Sequence, residues 1–488
     1  MLYAVKRAAV VTTPQPHQQR VVEKLKASGG VAAFHRVGSG KTLTSLLAQD
    51  ALGLPADVVV PAPLVANYEK EQAKHLDAPP PPTRVRSYER AVRDGGVDPA
   101  RLAVFDEAHR GRNATTATAR LLREAQGARG RLLLTATPVF NAPSDIAPIL
   151  NAAAGENRFP TDPRAFDEKY VARREVKPGL LARLFGAEAG SYAVLKNKHD
   201  LVAKAKGYVD VYRDASSDFP AVEEREVRVP MADAQHDVYR FHEGRLPFWT
   251  RFKVRSNLPL GKAESENLNK FFAGLRQSSN TPRPYVAGMT DAEEERAAPK
   301  LRSIADRVVE LRAGDPNYRG VVYSNYLEGG LTPLARMLKG RGVDAGLFHG
   351  GVPKSERKKL VEAFNAGKLP VLMISSSGSE GLDLKGTKHI AVTEPHFNMP
   401  KIDQIIGRGV RFRSHAHLPP EERKVLVERY FSTKPESWLN RLGIGKPDTG
   451  VEQFIHERAK EKALLGRQIM DALQEASDTG PLRRPGKA

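Results

Sequence analysis

VAAFHRVGSGKT, residues 31–42, is the stretch that decides the fold. Val31 to Phe34 is an apolar run of strand length, Gly38-Ser39-Gly40 supplies small residues, and a helical pattern starts at Lys41-Thr42. Strand, glycine loop and helix in that order are the context in which a Gly-Lys-Thr sequence reads as a phosphate-binding loop. Small residues let the backbone wrap a phosphate, and the amides at the helix start point inward, where the helix dipole favours negative charge. Lys41 is suited to reach the β- and γ-phosphates, and Thr42 to offer its hydroxyl to Mg2+. One position departs from the general pattern: His35 stands where its first glycine would be.

Outward from this loop, DVVVPAP (57–63), TRVRSYE (83–89), RLAVFDE (101–107) and GRLLLTATP (130–138) are short, Val- and Leu-rich runs bounded by Gly or Pro. Together with the helical patterns lying between several of them, they predict a doubly wound parallel sheet. Asp106-Glu107-Ala108-His109 closes one of these strands, and open α/β sheets gather ligands at strand C-termini. A carboxylate at Asp106 suits Mg2+ held through its water shell, and Glu107 suits removal of a proton from an attacking water. The same rhythm returns in RGVVYSN (319–325), DAGLFHG (344–350), LPVLMIS (369–375) and HIAVTEP (389–395), which predicts a second α/β lobe. The expected organisation is a first lobe over 1–158, a mainly helical insertion over 159–298, a second lobe over 299–430 and a helical tail over 431–488.

Composition narrows the partners. The 488 residues carry 76 Lys plus Arg against 57 Asp plus Glu, a net charge of +19. Residues 1–155 hold 20 basic and 13 acidic side chains and residues 301–420 hold 18 and 11, so 14 of the 19 surplus charges lie in two blocks. That excess favours a polyanionic partner. The absence of cysteine excludes a disulfide scaffold, a thiolate zinc site, an iron–sulfur cluster and a cysteine nucleophile. No uncharged run reaches the roughly 18 apolar residues of a membrane helix, and MLYAVKRAAVV is too short and too charged for a signal peptide. The expected setting is therefore cytoplasmic, with no membrane partner.

The ordered motifs resemble those of superfamily-two ATPases of the DEAH type, and more narrowly Swi/Snf-type DNA translocases and the related helicases of large DNA viruses and phages. HQQRVVEKL (17–25) resembles the entry segment whose glutamine recognises adenine, with Gln18 as the candidate and Gln19 its rival. VVVPAPLVANYEKE (58–71), Ser87-Tyr88, and Thr135-Ala136-Thr137-Pro138 with Asn141 follow in family order. VVYSNY (321–326), the segment 349–367 with Arg357, SSSGSEGLDLKG (375–386) and QIIGRGVR (404–411) complete it.

The resemblance implies two RecA-like P-loop lobes and an ATP-dependent motor that uses ATP and Mg2+. Lys41, Asp106, Glu107, Arg408 and Arg411 are its implied catalytic set. Gln18, Gly38, Ser39, Gly40, Lys41, Thr42, Gly381 and Asp383 would bind nucleotide, with Thr42 and Asp106 on the metal. His109, Thr135, Thr137 and Gln404 would couple hydrolysis to the track, while Ser87, Tyr88 and Arg357 would touch nucleic acid. Arginines from the second lobe would make hydrolysis depend on closure of the two lobes. The expected track is DNA, read as duplex through its backbone, with RNA as the alternative. A strand-separating helicase or a transcription-associated NTPase is the alternative function.

Two regions remain beside the motifs. PFWTRFKVRSN (247–257) interleaves aromatic and basic residues, a pattern that stacks bases or, as the favoured reading, simply packs on the lobes. The sequence from about residue 421 reads as helical, and its amphipathic helix is a candidate surface for a protein partner.

Overall fold

The computed structural model describes residues 10–77, 80–113, 115–139, 142–176, 190–213, 220–255, 268–375, 382–396, 399–410, 414–435 and 450–478. The chain divides into two compact units: Met1–Arg174 with Tyr192–Asp214 and Lys462–Ala488, and Glu175–Ser191 with Ala215–Glu461.

In the first unit, β1 (Gly30–His35), β2 (Ala56–Val60), β3 (Thr83–Ser87), β4 (Leu102–Asp106) and β5 (Gly130–Thr135) form the predicted sheet. Its order is β3-β2-β4-β5-β1, all parallel. Because side chains alternate across a strand, β1 sends Val31 and Ala33 to one core and Ala32 and Phe34 to the other. The first core is closed by Val21 and Leu25 of α1 (Pro16–Ser28) and Leu46 of α2 (Lys41–Leu52). Helices on both faces are what a buried parallel sheet requires.

The stretch expected as a mainly helical insertion also supplies strands. Val171–Val176 (β6) and Gly190–Leu195 (β7) pair with each other, and Val209–Tyr212 (β8) adds a sixth parallel strand beside β1. Ala221–Pro230 (β9) joins the sheet of the second unit, completed by β10 (Gly320–Ser324), β11 (Ala345–Phe348), β12 (Val371–Ser375), β13 (His389–Val392) and β14 (Lys424–Thr433). That sheet runs β11-β12-β10-β13-β14-β9 and is also all parallel. β14 replaces helix expected after residue 421: Val425 and Val427 alternate with other positions into a core. β9 escaped a hydrophobic reading because it is an edge strand whose charged side chains face solvent, an arrangement that also blocks edge-to-edge association.

The C-terminal helix, Val451–Asp478, is shared between the units. Val451, Phe454 and Ile455 enter a helical cluster of the second unit with Tyr239, Leu246 and Phe272. Leu465, Ile469, Ala472, Leu473 and Ala476, spaced as one helical face, enter the core of the first unit. Its apolar face is thus consumed within the chain, which leaves the expected protein-partner role without support; Leu464 remains 40% exposed. Among the described residues no helix is long and apolar enough to cross a membrane.

Candidate nucleotide site and its relatives

β1 delivers the chain to the glycine loop, where Gly38 (φ 83°) and Gly40 (φ 77°) take left-handed conformations open to glycine at little cost. Gly40 is required twice over, since a Cβ there would lie 2.6 Å from Gln18 Nε2. Lys41 begins α2, and its Nζ donates to the carbonyls of His35 and Arg36, both at 3.4 Å. The cation therefore braces the loop that is suited to receive phosphate. Ser39 is buried and Thr42 half-buried in the first turn of α2.

α1 approaches this loop from the side. Gln18 is 2% exposed, and its Nε2 donates to Gly40 O (3.2 Å) and Ser39 O (3.4 Å) while its Oε1 accepts from Gln15 N (2.9 Å). Gln19 is exposed. Of the two glutamines, Gln18 is therefore the one in contact with the phosphate loop. His17 adds a contact from Nε2 to Ser39 O at 2.9 Å.

Asp106 ends β4, and its Oδ1 accepts the amide of Glu107 at 3.0 Å. Glu107 itself adopts φ 53°, ψ 50°, a left-handed conformation that costs a non-glycine residue on the order of 1–3 kcal/mol. His109 links the carboxylate to the next strand: its Nδ1 lies 3.3 Å from Glu107 Oε2 and 3.0 Å from Thr135 Oγ1, which also accepts Thr137 N at 3.2 Å. Hydrogen bonds thus join His109, Thr135 and Thr137, with Glu107 Oε2 beside the imidazole. Burial, and then the charge of Glu107, push the Asp106 carboxyl up to about 6, while Lys41 pulls the other way. A half-buried carboxyl raised by a like charge and opposed by a lysine fits a site for a divalent cation.

Tyr88 needs correction. It is fully buried and donates its hydroxyl to the carbonyl of Asp106 at 2.9 Å, so its ring braces the β4 terminus and has no surface to offer a nucleic acid backbone. Ser87 caps the helix Tyr88–Arg93 by accepting Arg90 N at 3.2 Å.

In the second unit, Gln404 and Arg408 lie half-buried on the helix Met399–Gly409, with the Arg408 carbonyl accepting Leu384 N at 3.2 Å. Asp383 is exposed and its carbonyl accepts Asn365 Nδ2 at 2.9 Å. The Arg357 guanidinium lies over the Phe348 ring, 5.7 Å from its centre. Gly381, Arg411 and Asn141 lie outside the described residues. The aromatic–basic segment is the helix Phe248–Arg255, and contrary to the packing reading Phe248 is 63% and Phe252 44% exposed. Arg251 lies over the Phe248 ring at 5.9 Å, and on the preceding helix Arg245 lies over Phe241 at 5.4 Å.

Sequence reading missed Asp210. This fully buried residue of β8 receives Arg20, Lys24 and His35. The only signal was indirect: a histidine occupying the place of the loop's first glycine.

Known families and proteins match this sequence. The SNF2-related domain matches residues 84–283 and the helicase conserved C-terminal domain residues 303–413. The chain carries a superfamily-two, SNF2-related helicase module: it is an ATP-hydrolysing nucleic-acid helicase or translocase. A protein of Acanthamoeba polyphaga mimivirus named as an ATP-dependent RNA helicase is 28% identical over 437 residues, spanning 87% of this chain and 90% of that one. The termination factor NPH-I homolog of African swine fever virus is 22% identical over 547 residues, spanning 92% of this chain and 76% of its own. Among solved structures, the helicase domain of Pyrococcus furiosus Hef is 18% identical, covers 86% of this chain and 95% of that one, and aligns with a TM-score of 0.49.

Proposed function

We propose that this ATPase acts on the nucleic acids of transcription, as an RNA- or DNA-strand helicase or a transcription-associated NTPase. The carrying observation is similarity along most of the chain to a protein named as an RNA helicase and to a termination factor homologue. The exposed pairs Phe248–Arg251 and Phe241–Arg245 support it, because aromatic rings beside guanidinium groups suit unstacked bases and phosphates. The SNF2-related match over 84–283 favours movement on duplex DNA as the second reading.

In hydrolysis, the loop amides and Lys41 would hold the β- and γ-phosphates, and Thr42 and Asp106 would hold the metal. Mg2+ supplies positive charge against the transferring phosphoryl group when bound. Glu107 accepts a proton from the water that attacks the γ-phosphorus, and ADP leaves with its new terminal oxygen still among the loop amides. His109 and Thr135 would carry the state of Glu107 to Thr137, two residues past the end of β5. The resemblance implies a charge-stabilising role for Arg408 and Arg411, and their loss is expected to slow turnover more than it weakens ATP binding. Gln18 reports on the base, and Gly381, Asp383, Gln404, Ser87 and Arg357 serve nucleotide or track contacts.

The test is ATP hydrolysis with single-stranded RNA, single-stranded DNA and blunt duplex DNA compared side by side. Single strands are expected to stimulate most. Stimulation by blunt duplex DNA alone, with displacement of a triplex strand, would select the second reading.

A further inference from the structure

We propose that Asp210 is a positioning residue of the ATP site, through which the end of the C-terminal helix helps hold the phosphate loop in shape. The geometry starts with a single carboxylate shared by two cations, Arg20 and Lys24, and by the His35 imidazole. Its Oδ1 receives His35 Nε2 at 2.8 Å and Arg20 Nη2 at 3.0 Å; its Oδ2 receives Arg20 Nε at 2.5 Å and Lys24 Nζ at 2.9 Å. Each partner leads to the nucleotide site or to the helix end. His35 is the residue from which the loop departs, and its carbonyl accepts Lys41 Nζ. Arg20 and Lys24 belong to α1, the helix that lays Gln18 on the loop carbonyls. Lys24 Nζ also donates to Val209 O (2.9 Å), Ser477 O (2.8 Å) and Ser477 Oγ (3.1 Å), and that hydroxyl accepts Val211 N at 3.0 Å.

The arrangement does more than neutralise charge. A buried ion pair is on average no more stabilising than well-packed apolar residues, so a fourfold-satisfied carboxylate at this place indicates control of geometry. Ionised Asp210 accepts from His35, which fixes the imidazole with its hydrogen on Nε2. The His35 side chain is thereby tied to β8, and the loop leaves β1 in one direction. On the other side, His17 stacks on Tyr212 with ring centres 4.0 Å apart and planes 6° apart while contacting Ser39 O. β8, an element outside the motif set, therefore sets the position of both α1 and the loop.

The test needs the ATPase but not the identity of its track: affinity for a fluorescent ATP analogue and KM for ATP are measured on the full chain without nucleic acid and at saturating nucleic acid. His35→Ala and Ser477→Ala are expected to raise KM and the dissociation constant severalfold, about tenfold for His35→Ala, with kcat changed less than twofold. His35→Gln, whose amide can still donate to Asp210, is expected to recover most of the lost affinity. Ile469→Val weakens the same core without touching the network, and is expected to lower the melting temperature with KM unchanged. KM within twofold of the parent in both alanine variants, equal loss in His35→Gln and His35→Ala, or a rise in KM for Ile469→Val matching its loss of stability would each overturn the proposal.

Discussion

Asp106 and Asp210 are aspartates on strands of one sheet, the first half-buried and the second fully buried, and they titrate in opposite directions. At Asp106 burial and the charge of Glu107 raise the carboxyl to about 6. Burial alone would raise Asp210 too, but hydrogen bonds from His35 and Arg20 and the charge of Lys24 hold it well below the usual carboxylate range. One carboxylate has its counter-charges built in; the other is held beside a like charge, in want of a cation. The difference teaches that burial does not decide a carboxylate's role, whereas the balance of charge around it does. The structural anchor is satisfied within the protein itself, whereas the carboxylate proposed to hold a metal is under-compensated by its own surroundings.

The largest expected effect concerns chemistry beside Asp106. Glu107→Gln removes the proton acceptor and keeps the metal ligand, so turnover is expected to fall by about 10²–10⁴-fold while ATP binding and nucleic acid affinity persist; single-turnover hydrolysis with a filter-binding assay checks both. Next, Asp210→Asn leaves Lys24 buried beside a neutral amide and is expected to cost on the order of 3–5 kcal/mol, read by urea denaturation.

Asp106→Asn should do the reverse. Because its folded pKa lies above the unfolded value, the stability this group contributes is complete below about pH 4 and is lost as pH rises through about 6. The asparagine variant without nucleotide is therefore expected to be more stable than the parent at pH 7, by on the order of 1–3 kcal/mol, and equal to it near pH 4. Lower stability at pH 7 would remove the contrast between the two aspartates. The smallest effect concerns the second unit: Phe248→Ala is expected to weaken single-strand binding by about 1–3 kcal/mol, seen by fluorescence anisotropy, with nucleotide affinity unchanged.

Nine of the twelve parallel strands of the two sheets were readable because most carry their evidence locally, in a nearly continuous apolar run between turn residues; β8, β9 and β14 were the exceptions. The phosphate loop was readable for the same reason, since 31–42 contains strand, loop and helix start together. β9 and β14 were not. β9 is an exposed edge written in charged residues, and in β14 Glu428 and Arg429 interrupt the apolar pattern, although both are buried and paired. The Asp210 cluster was hidden by distance along the chain, its partners lying 190 residues away at Arg20 and 175 at His35. Tyr88 was misread for a different reason: an aromatic beside Ser87 carries no mark of which way it turns, and the apolar ring went to the core while its hydroxyl found the Asp106 carbonyl.

Steady-state ATP hydrolysis by the parent protein and by Lys41→Ala, with and without single-stranded RNA or DNA at saturating Mg2+-ATP, bears most directly on the whole account. Hydrolysis that rises on addition of nucleic acid and disappears in Lys41→Ala is the predicted result. A rate indifferent to every nucleic acid, or one that survives loss of the lysine, would contradict it.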